Sequence, residues 1–283
     1  MSTAPNYLIA YEATDRGREA IQLGIALARL TGAELRVCIV MPRQSVVPAK
    51  VSAGLADYQS LLQRQADEWL VLAEAQIPAD VVASTHTVWA ESTSEGLLRA
   101  AEGFDSDRII VGAARAGLLG RFSIGSVANG LLHASPVPVA LAPRGYRAPS
   151  RISRITCAIG TRPGWEALLD SMVAISENLD VELRFITLVQ VGTSPVVTAE
   201  DSQEHLATVL EYFSSRATFL GTPTTEVGEG DNIEDAVDAM DWRSDEIVFV
   251  GSSRLASPSR LFLGTTANRM LRTLPVPLIV VPT

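Results

Sequence analysis

The sequence predicts an α/β protein built from two tandem doubly wound domains, each a five-stranded parallel sheet ordered 3-2-1-4-5 and covered by helices. Three observations carry that prediction. Hydrophobic residues make up 47% of the 283 positions while aromatics make up only 6%. The core is therefore Ala, Val, Leu and Ile, the composition of parallel strands buried on both faces. Short apolar runs alternate with segments of helical periodicity, which yields parallel pairing through right-handed crossovers. The third observation is internal repetition. VGAARAGLLGRFSIGSVANGLLHASPVPV and VGSSRLASPSRLFLGTTANRMLRTLPVPL align without a gap at an offset of 139. Gly112 then falls on Gly251, Gly125 on Gly264 and Asn129 on Asn268.

The elements follow in the same order in both copies. YLIAYEAT and RITCAIGT are first strands, each leading into a turn and a helix. Leu23, Leu27 and Leu30 make the apolar stripe of the first helix; Leu168, Met172, Ile175 and Leu179 make its counterpart. ELRVCIV and ELRFITLV are second strands. The next helices bury Leu55, Tyr58, Leu62, Trp69 and Leu72 in copy one and Leu206, Leu210, Phe213, Ala217 and Leu220 in copy two. A third strand and a short helix come next, with the capping pattern Ser92 to Glu95 and Asp231 to Glu234. RIIVG and EIVFVG are fourth strands, VPVALAP and VPLIVVP fifth strands. The Pro/Gly/Arg stretch after Pro143 reads as a linker, giving copy one over residues 1–143, a linker over 144–151 and copy two over 152–283.

Net charge is −9 and no basic tract is present, which argues against a nucleic-acid surface. No apolar run has the length of a membrane span, and the first residues lack the pattern of a signal peptide, so the expected location is the cytoplasm. Cys38 and Cys157 sit inside apolar runs and read as buried small hydrophobes. Lys50 is the single lysine, in a loop-like stretch after Pro48, where no Walker or Schiff-base lysine is expected. His86, His133 and His205 are far apart, without metal-ligand spacing. The acidic run Glu229, Asp231, Glu234, Asp235 and Asp238 reads as a solvated helix face. No nucleophile elbow and no dinucleotide fingerprint occur, so no constellation calls for catalysis.

In such sheets ligands bind beyond the carboxyl ends of the strands, where strand order reverses between strands one and four. There the chain reads Gly112-Ala-Ala-Arg115, nine residues, Gly125-Ser126 in copy one, and Gly251-Ser-Ser-Arg254, nine residues, Gly264-Thr265 in copy two. Small residues let a ligand approach the backbone, and a helix start offers free N–H groups and the positive dipole end to a phosphate. Arg115 and Arg254 would add positive charge. Ser126 and Thr265 equally fit ordinary N-caps, and the glycines ordinary turns.

On the strand-one entry IAYEAT, the glycine spacing after strand four and the closing PVPV and PVPL strands, both halves resemble the universal stress protein family. The resemblance implies an adenine nucleotide alpha hydrolase-like fold and a cytoplasmic stress-response module that binds ATP or another adenine nucleotide, with Mg only as the nucleotide's own ion. Carried over, Glu12 takes the acidic position near the adenosine, Ala10 and Val40 flank the adenine, and Gly112, Gly125, Ser126 and Val127 hold the phosphates. The chain departs from the family pattern at the second glycine (Arg115 and Arg254), at the acidic residue (Glu12 where aspartate is customary) and at Gly160, which has no carboxylate. Copy one is thus the better nucleotide site, and Gly251, Arg254, Gly264 and Thr265 mark a weaker second one. Two alternatives stand beside ATP binding: a structural or interaction protein with closed crevices, and slow nucleotide hydrolysis. The resemblance further implies pairing of the two last strands as an internal pseudo-dimer, with homodimerisation of whole chains as a further option.

Overall fold

The computed structural model describes residues 4–43, 52–113, 125–161, 165–176, 179–191, 198–217, 219, 221–252 and 264–282. Half one runs β1 (Asn6–Tyr11), α1 (Asp15–Thr31), β2 (Glu34–Pro42), α2 (Ser52–Glu74), β3 (Ala83–Ala90), α3 (Thr93–Gly103), β4 (Arg108–Gly112), α4 (Ser126–Ala134) and β5 (Val139–Ala142). Half two repeats that order with β6 (Arg154–Ala158), α5 (Glu166–Ser176), β7 (Glu182–Gln190), α6 (Ala199–Ser214), β8 (Thr224–Gly230), α7 (Ile233–Asp238), β9 (Glu246–Gly251), α8 (Thr265–Thr273) and β10 (Leu278–Val281). Each half is a parallel sheet in the predicted 3-2-1-4-5 order.

The halves meet edge to edge. β5 and β10 pair antiparallel, with Val139 opposite Val280, Ala140 opposite Ile279 and Leu141 opposite Leu278. Both strands are buried throughout. One ten-stranded sheet results, with β3 and β8 at its outer edges. Unjoined, β5 and β10 would present unpaired backbone groups beside apolar side chains, a template for aggregation.

Alternating strand residues feed two apolar layers, one under α1, α2, α5 and α6, the other under α3, α4, α7 and α8. Tyr7, Ile9 and Tyr11 face the first layer and Leu8 the second, the alternation a strand buried on both faces requires. Cys38 and Cys157 are buried and free, and burial pushes the Cys38 thiol up to about 12. Leu23 and Leu27 of α1, Leu168 and Met172 of α5, and Leu206 and Phe213 of α6 are buried as their spacing predicts.

α2 departs from its predicted stripe. Tyr58 is 44% exposed and Leu72 58%, while the buried line is Ala66, Leu70 and Ala73, flanked by Leu62 and Trp69. Alanines carry that face, so it is nearly invisible to a search for large apolar residues. The α3 start is capped as expected, Ser92 Oγ accepting from Glu95 N at 3.3 Å. At α7 the cap lies one residue later than predicted, because Asn232 Oδ1 accepts from Asp235 N at 3.0 Å. Past β5, Gly145 adopts φ 79° and donates its N–H to Glu19 Oε1 at 2.6 Å, while Ala148 N donates to Gln22 Oε1 at 3.1 Å. Tyr146 between them is buried in the core, so this stretch is packed onto α1. Lys50 and Leu220 lie outside the described residues.

Candidate functional site

The crevice beyond β1 and β4 is set by direct backbone contact. A Cβ on Gly17 would collide with the Glu12 carbonyl oxygen, and one on Gly112 with the Arg16 carbonyl oxygen. The first turn of α1 therefore rests on the ends of β1 and β4, and packing alone requires Gly112. Glu12 lies beside this contact, half in solvent. Arg16 Nε is 2.6 Å from its Oε1, and an Arg16 Nη donates to its Oε2 at 3.0 Å. The acid is thus held by the next turn, at a position where a ligand can reach it.

On the opposite side Ala10, Val40, Val88 and Val127 are partly buried against one apolar cluster. A Cβ on Gly96 would come within 2.7 Å of Val40 Cγ1, so α3 sits directly on Val40. α4 opens at Ser126 behind Gly125, whose backbone is extended at φ −67° and ψ 166°. Gly264 does the same for α8 at φ −63° and ψ 164°. Their carbonyls accept from Asn129 N and Asn268 N, both at 2.9 Å. Ser126 and Thr265 are therefore first helical residues and not N-caps. The glycines cap the helices without a side chain, so the first-turn N–H groups keep the orphan donors of a helix start. Arg115 and Arg254 lie in segments 114–124 and 253–263, outside the described residues.

The two halves differ at their mouths. Gly160 takes the place of Glu12, and a Cβ there would meet nothing within 4 Å. His205 makes a hydrogen bond to the Gly160 backbone, although burial still holds its pKa below the usual histidine range. Trp165 stacks edge-on against His205 and Tyr212 at 5.5 and 5.2 Å. Leu188 stands where half one has Val40; its Cδ2 and the Met240 sulfur would lie 2.8 and 2.9 Å from a Cβ on Gly228.

A bridge also spans half two. Arg269 Nη2 of α8 is 2.6 Å from Glu234 Oε2 of α7, its Nε donates to the same oxygen at 2.8 Å, and its Nη1 donates to Gln190 Oε1 at 3.3 Å. That guanidinium holds the Glu234 carboxyl below its ordinary value. Glu234 is thus part of an ion pair, where its acidic run alone suggests a solvated face. The equivalent places in half one are Gly130, Ser94 and Pro42, all without charge. The sequence does carry a signal for this, in the Arg269 that replaces Gly130 between the aligned repeats. Its partner on α7 needed the fold to be seen. Among the described residues no group of three or more His, Cys, Asp or Glu side chains converges as a metal site, and no helix is long and apolar enough to cross a membrane.

The model of the Universal stress protein family matches residues 6–143 and again 151–282. Universal stress protein Rv2319c of Mycobacterium tuberculosis and Universal stress protein Mb2346c of Mycobacterium bovis are each 28% identical to this chain over 293 aligned residues, covering 97% of it and 99% of each relative. The crystal structure of a universal stress protein from Archaeoglobus fulgidus DSM 4304 superposes over 99% of both chains with a TM-score of 0.72 at 17% identity, a likeness of fold. With the doubled 3-2-1-4-5 sheet and the repeated glycine-capped helices, these matches establish that the chain belongs to the universal stress protein family.

Proposed function

We propose that this chain is a non-catalytic stress-response module of the cytoplasm that holds one adenine nucleotide, ATP or a close relative, in half one. Half two serves as its structural partner across the β5–β10 joint, in the manner of an internal dimer. The observation that supports this reading is the contrast between the halves: half one keeps the Glu12 carboxylate beside the end of β1, whereas half two has Gly160 there and carries the Glu234–Arg269 pair between α7 and α8. The half-one groups fit a nucleotide. Ala10 and Val40 offer apolar contact for a base. Glu12 can accept hydrogen bonds from a ribose once it lets go of Arg16. The amides at the start of α4 suit phosphate oxygens, with Arg115 as an added cation and Mg arriving only with the phosphates.

The test uses the purified full chain. It is denatured, the supernatant is chromatographed for released nucleotide, and ATP is then added to the stripped protein while its melting temperature is followed. Adenine nucleotide in the supernatant, or an ATP-dependent rise in melting temperature, is expected. The rise should vanish in the double variant Ser94→Glu, Gly130→Arg, which transplants the half-two bridge. No nucleotide and no shift at millimolar ATP would refute the reading in favour of a structural or interaction protein.

A further inference from the structure

The two outer edges of the sheet are guarded unequally. β8 carries Glu226 and Glu229, and Glu226 is bonded to Arg184 at 2.7 Å. β3, with the sequence ASTHTVWA, has no acidic, lysine or arginine residue over its eight positions. Among the described residues it pairs only with β2. Leu35 N of β2 and Arg43 N just past its end bond to the carbonyls of Val82 and Ala90. In a parallel ladder the even-numbered residues of β3 therefore turn their backbone groups inward, and Thr85 and Thr87 turn theirs to the outside. Sheet edges of this kind are normally protected by charge or by a covering element.

Beside that edge runs a groove of about 540 Å³, walled by α2 on one side and Phe104 on the other. α2 presents Asp67, Val71 and Glu74 to it, a helical stripe in which Val71 is 65% exposed. Among the described residues neither Asp67 nor Glu74 pairs with a cation; Asp67 accepts only from Gln63, at 2.7 Å. His86 on the far wall stacks on Phe104 at 4.5 Å and bonds to Ser84 Oγ at 2.8 Å. The wall charges are thus the two carboxylates. A second copy of the chain placed on this edge would bring Asp67 and Glu74 against their own counterparts, in a molecule already at −9. Like charges at close range oppose that pairing.

We propose that β3 is a docking edge for an extended, basic peptide segment of a partner protein, which adds as an eleventh strand. Its main chain bonds to Thr85 and Thr87, its alternate Lys or Arg side chains meet Asp67 and Glu74 on the α2 wall with their stems along Val71, and its apolar ones rest on Phe104 on the other wall. Main-chain bonds would supply affinity and the alternate side chains specificity. This interaction is independent of any nucleotide in half one.

The experiment titrates the full chain into a fluorescein-labelled Lys-Val-Lys-Val-Lys-Val peptide and its Glu-Val-Glu-Val-Glu-Val counterpart, following anisotropy. Amide hydrogen exchange of β3 is measured with the basic peptide in excess. Saturable binding of the basic peptide is expected, at least about tenfold tighter than the acidic one given two favourable charge pairs, together with slowed exchange at Thr85 and Thr87. The variant D67K/E74K should reverse the preference. The milder D67N/E74Q should reduce it while leaving the fold untouched. Equal binding of both peptides, no saturation by either, protection confined to other strands, or a homodimer whose formation buries β3 would each overturn the proposal.

Discussion

Gly112 has two demands placed on it at once, and a side-chain scan separates them. It stands in the glycine pattern that suits a phosphate, yet the Arg16 carbonyl lies so close that any Cβ must displace α1. Gly112→Ala should therefore destabilise the ligand-free protein by about 1–3 kcal/mol, the usual range for forcing extra volume into a packed contact. Urea unfolding without nucleotide reads this directly, and an unchanged midpoint would mean that α1 can lift away. The Glu12–Arg16 pair is half in water, so breaking it alone should leave stability nearly unchanged. The strand end at Gly112 was legible from the apolar runs and the topology rule, whereas Ala10, Glu12 and Val40 were singled out only by the resemblance to the family. The contact that makes Gly112 obligatory was not legible, since it joins residues distant in sequence through backbone atoms that no side-chain pattern reports.

At the scale of elements, what the sequence presents as a linker is a strap on α1. Glu19 accepts the Gly145 N–H, and burial raises its pKa above 4.5, more than the Gly145 bond and the nearby Arg144 and Arg147 lower it, with Asp15 adding to the rise. The folded protein thus holds a proton on Glu19 more readily than the unfolded chain does. Its contribution to stability is fully present below pH 4.5 and is lost as pH rises through the elevated folded value. Glu19→Gln keeps an acceptor for Gly145 and removes that slope, so its unfolding free energy should not fall at neutral pH. Glu19→Ala should lose about 1–3 kcal/mol by leaving the Gly145 N–H without its acceptor. Chemical denaturation of both variants between pH 4 and 8 checks the pair; a steeper loss for Gln than for Ala would contradict it. Elsewhere the buried face follows the sequence pattern where large apolar residues mark it, as in α1, α5 and α6. In α2 Leu62 and Trp69 pack as predicted, whereas Tyr58 and Leu72 fall outside the buried line, which Ala66 and Ala73 carry with Leu70. The α7 cap slipped by one because Asp231 and Asn232 are both good caps and only geometry chooses between them.

The whole molecule is organised around its seam. Four residues from each half, β5 and β10, are fully buried where the sheets join. Arg108 of half one adds to the tie, buried with its guanidinium 5.0 Å from the Tyr7 ring and 5.8 Å from that of Phe249 in half two. Ile279→Glu would bury an unpaired carboxylate opposite Ala140, a change of several kcal/mol. It should unfold the chain or drive it into aggregates, seen by sedimentation and loss of the cooperative melt. A soluble variant with an unchanged melt would mean that the halves do not depend on each other. The tandem arrangement was legible from the repeat. The inequality of the halves was only half legible: Gly160 announces a missing carboxylate, but the Glu234–Arg269 bridge forms between α7 and α8 and emerges only in three dimensions.

Counting bound nucleotide measures that inequality directly. Equilibrium dialysis of radiolabelled ATP against the stripped full chain should saturate at one nucleotide per chain. Removing the half-two bridge with Glu234→Ser, Arg269→Gly should leave the first site intact. Saturation at two per chain in the unaltered protein, or loss of all binding on altering half two alone, would contradict a nucleotide site confined to half one.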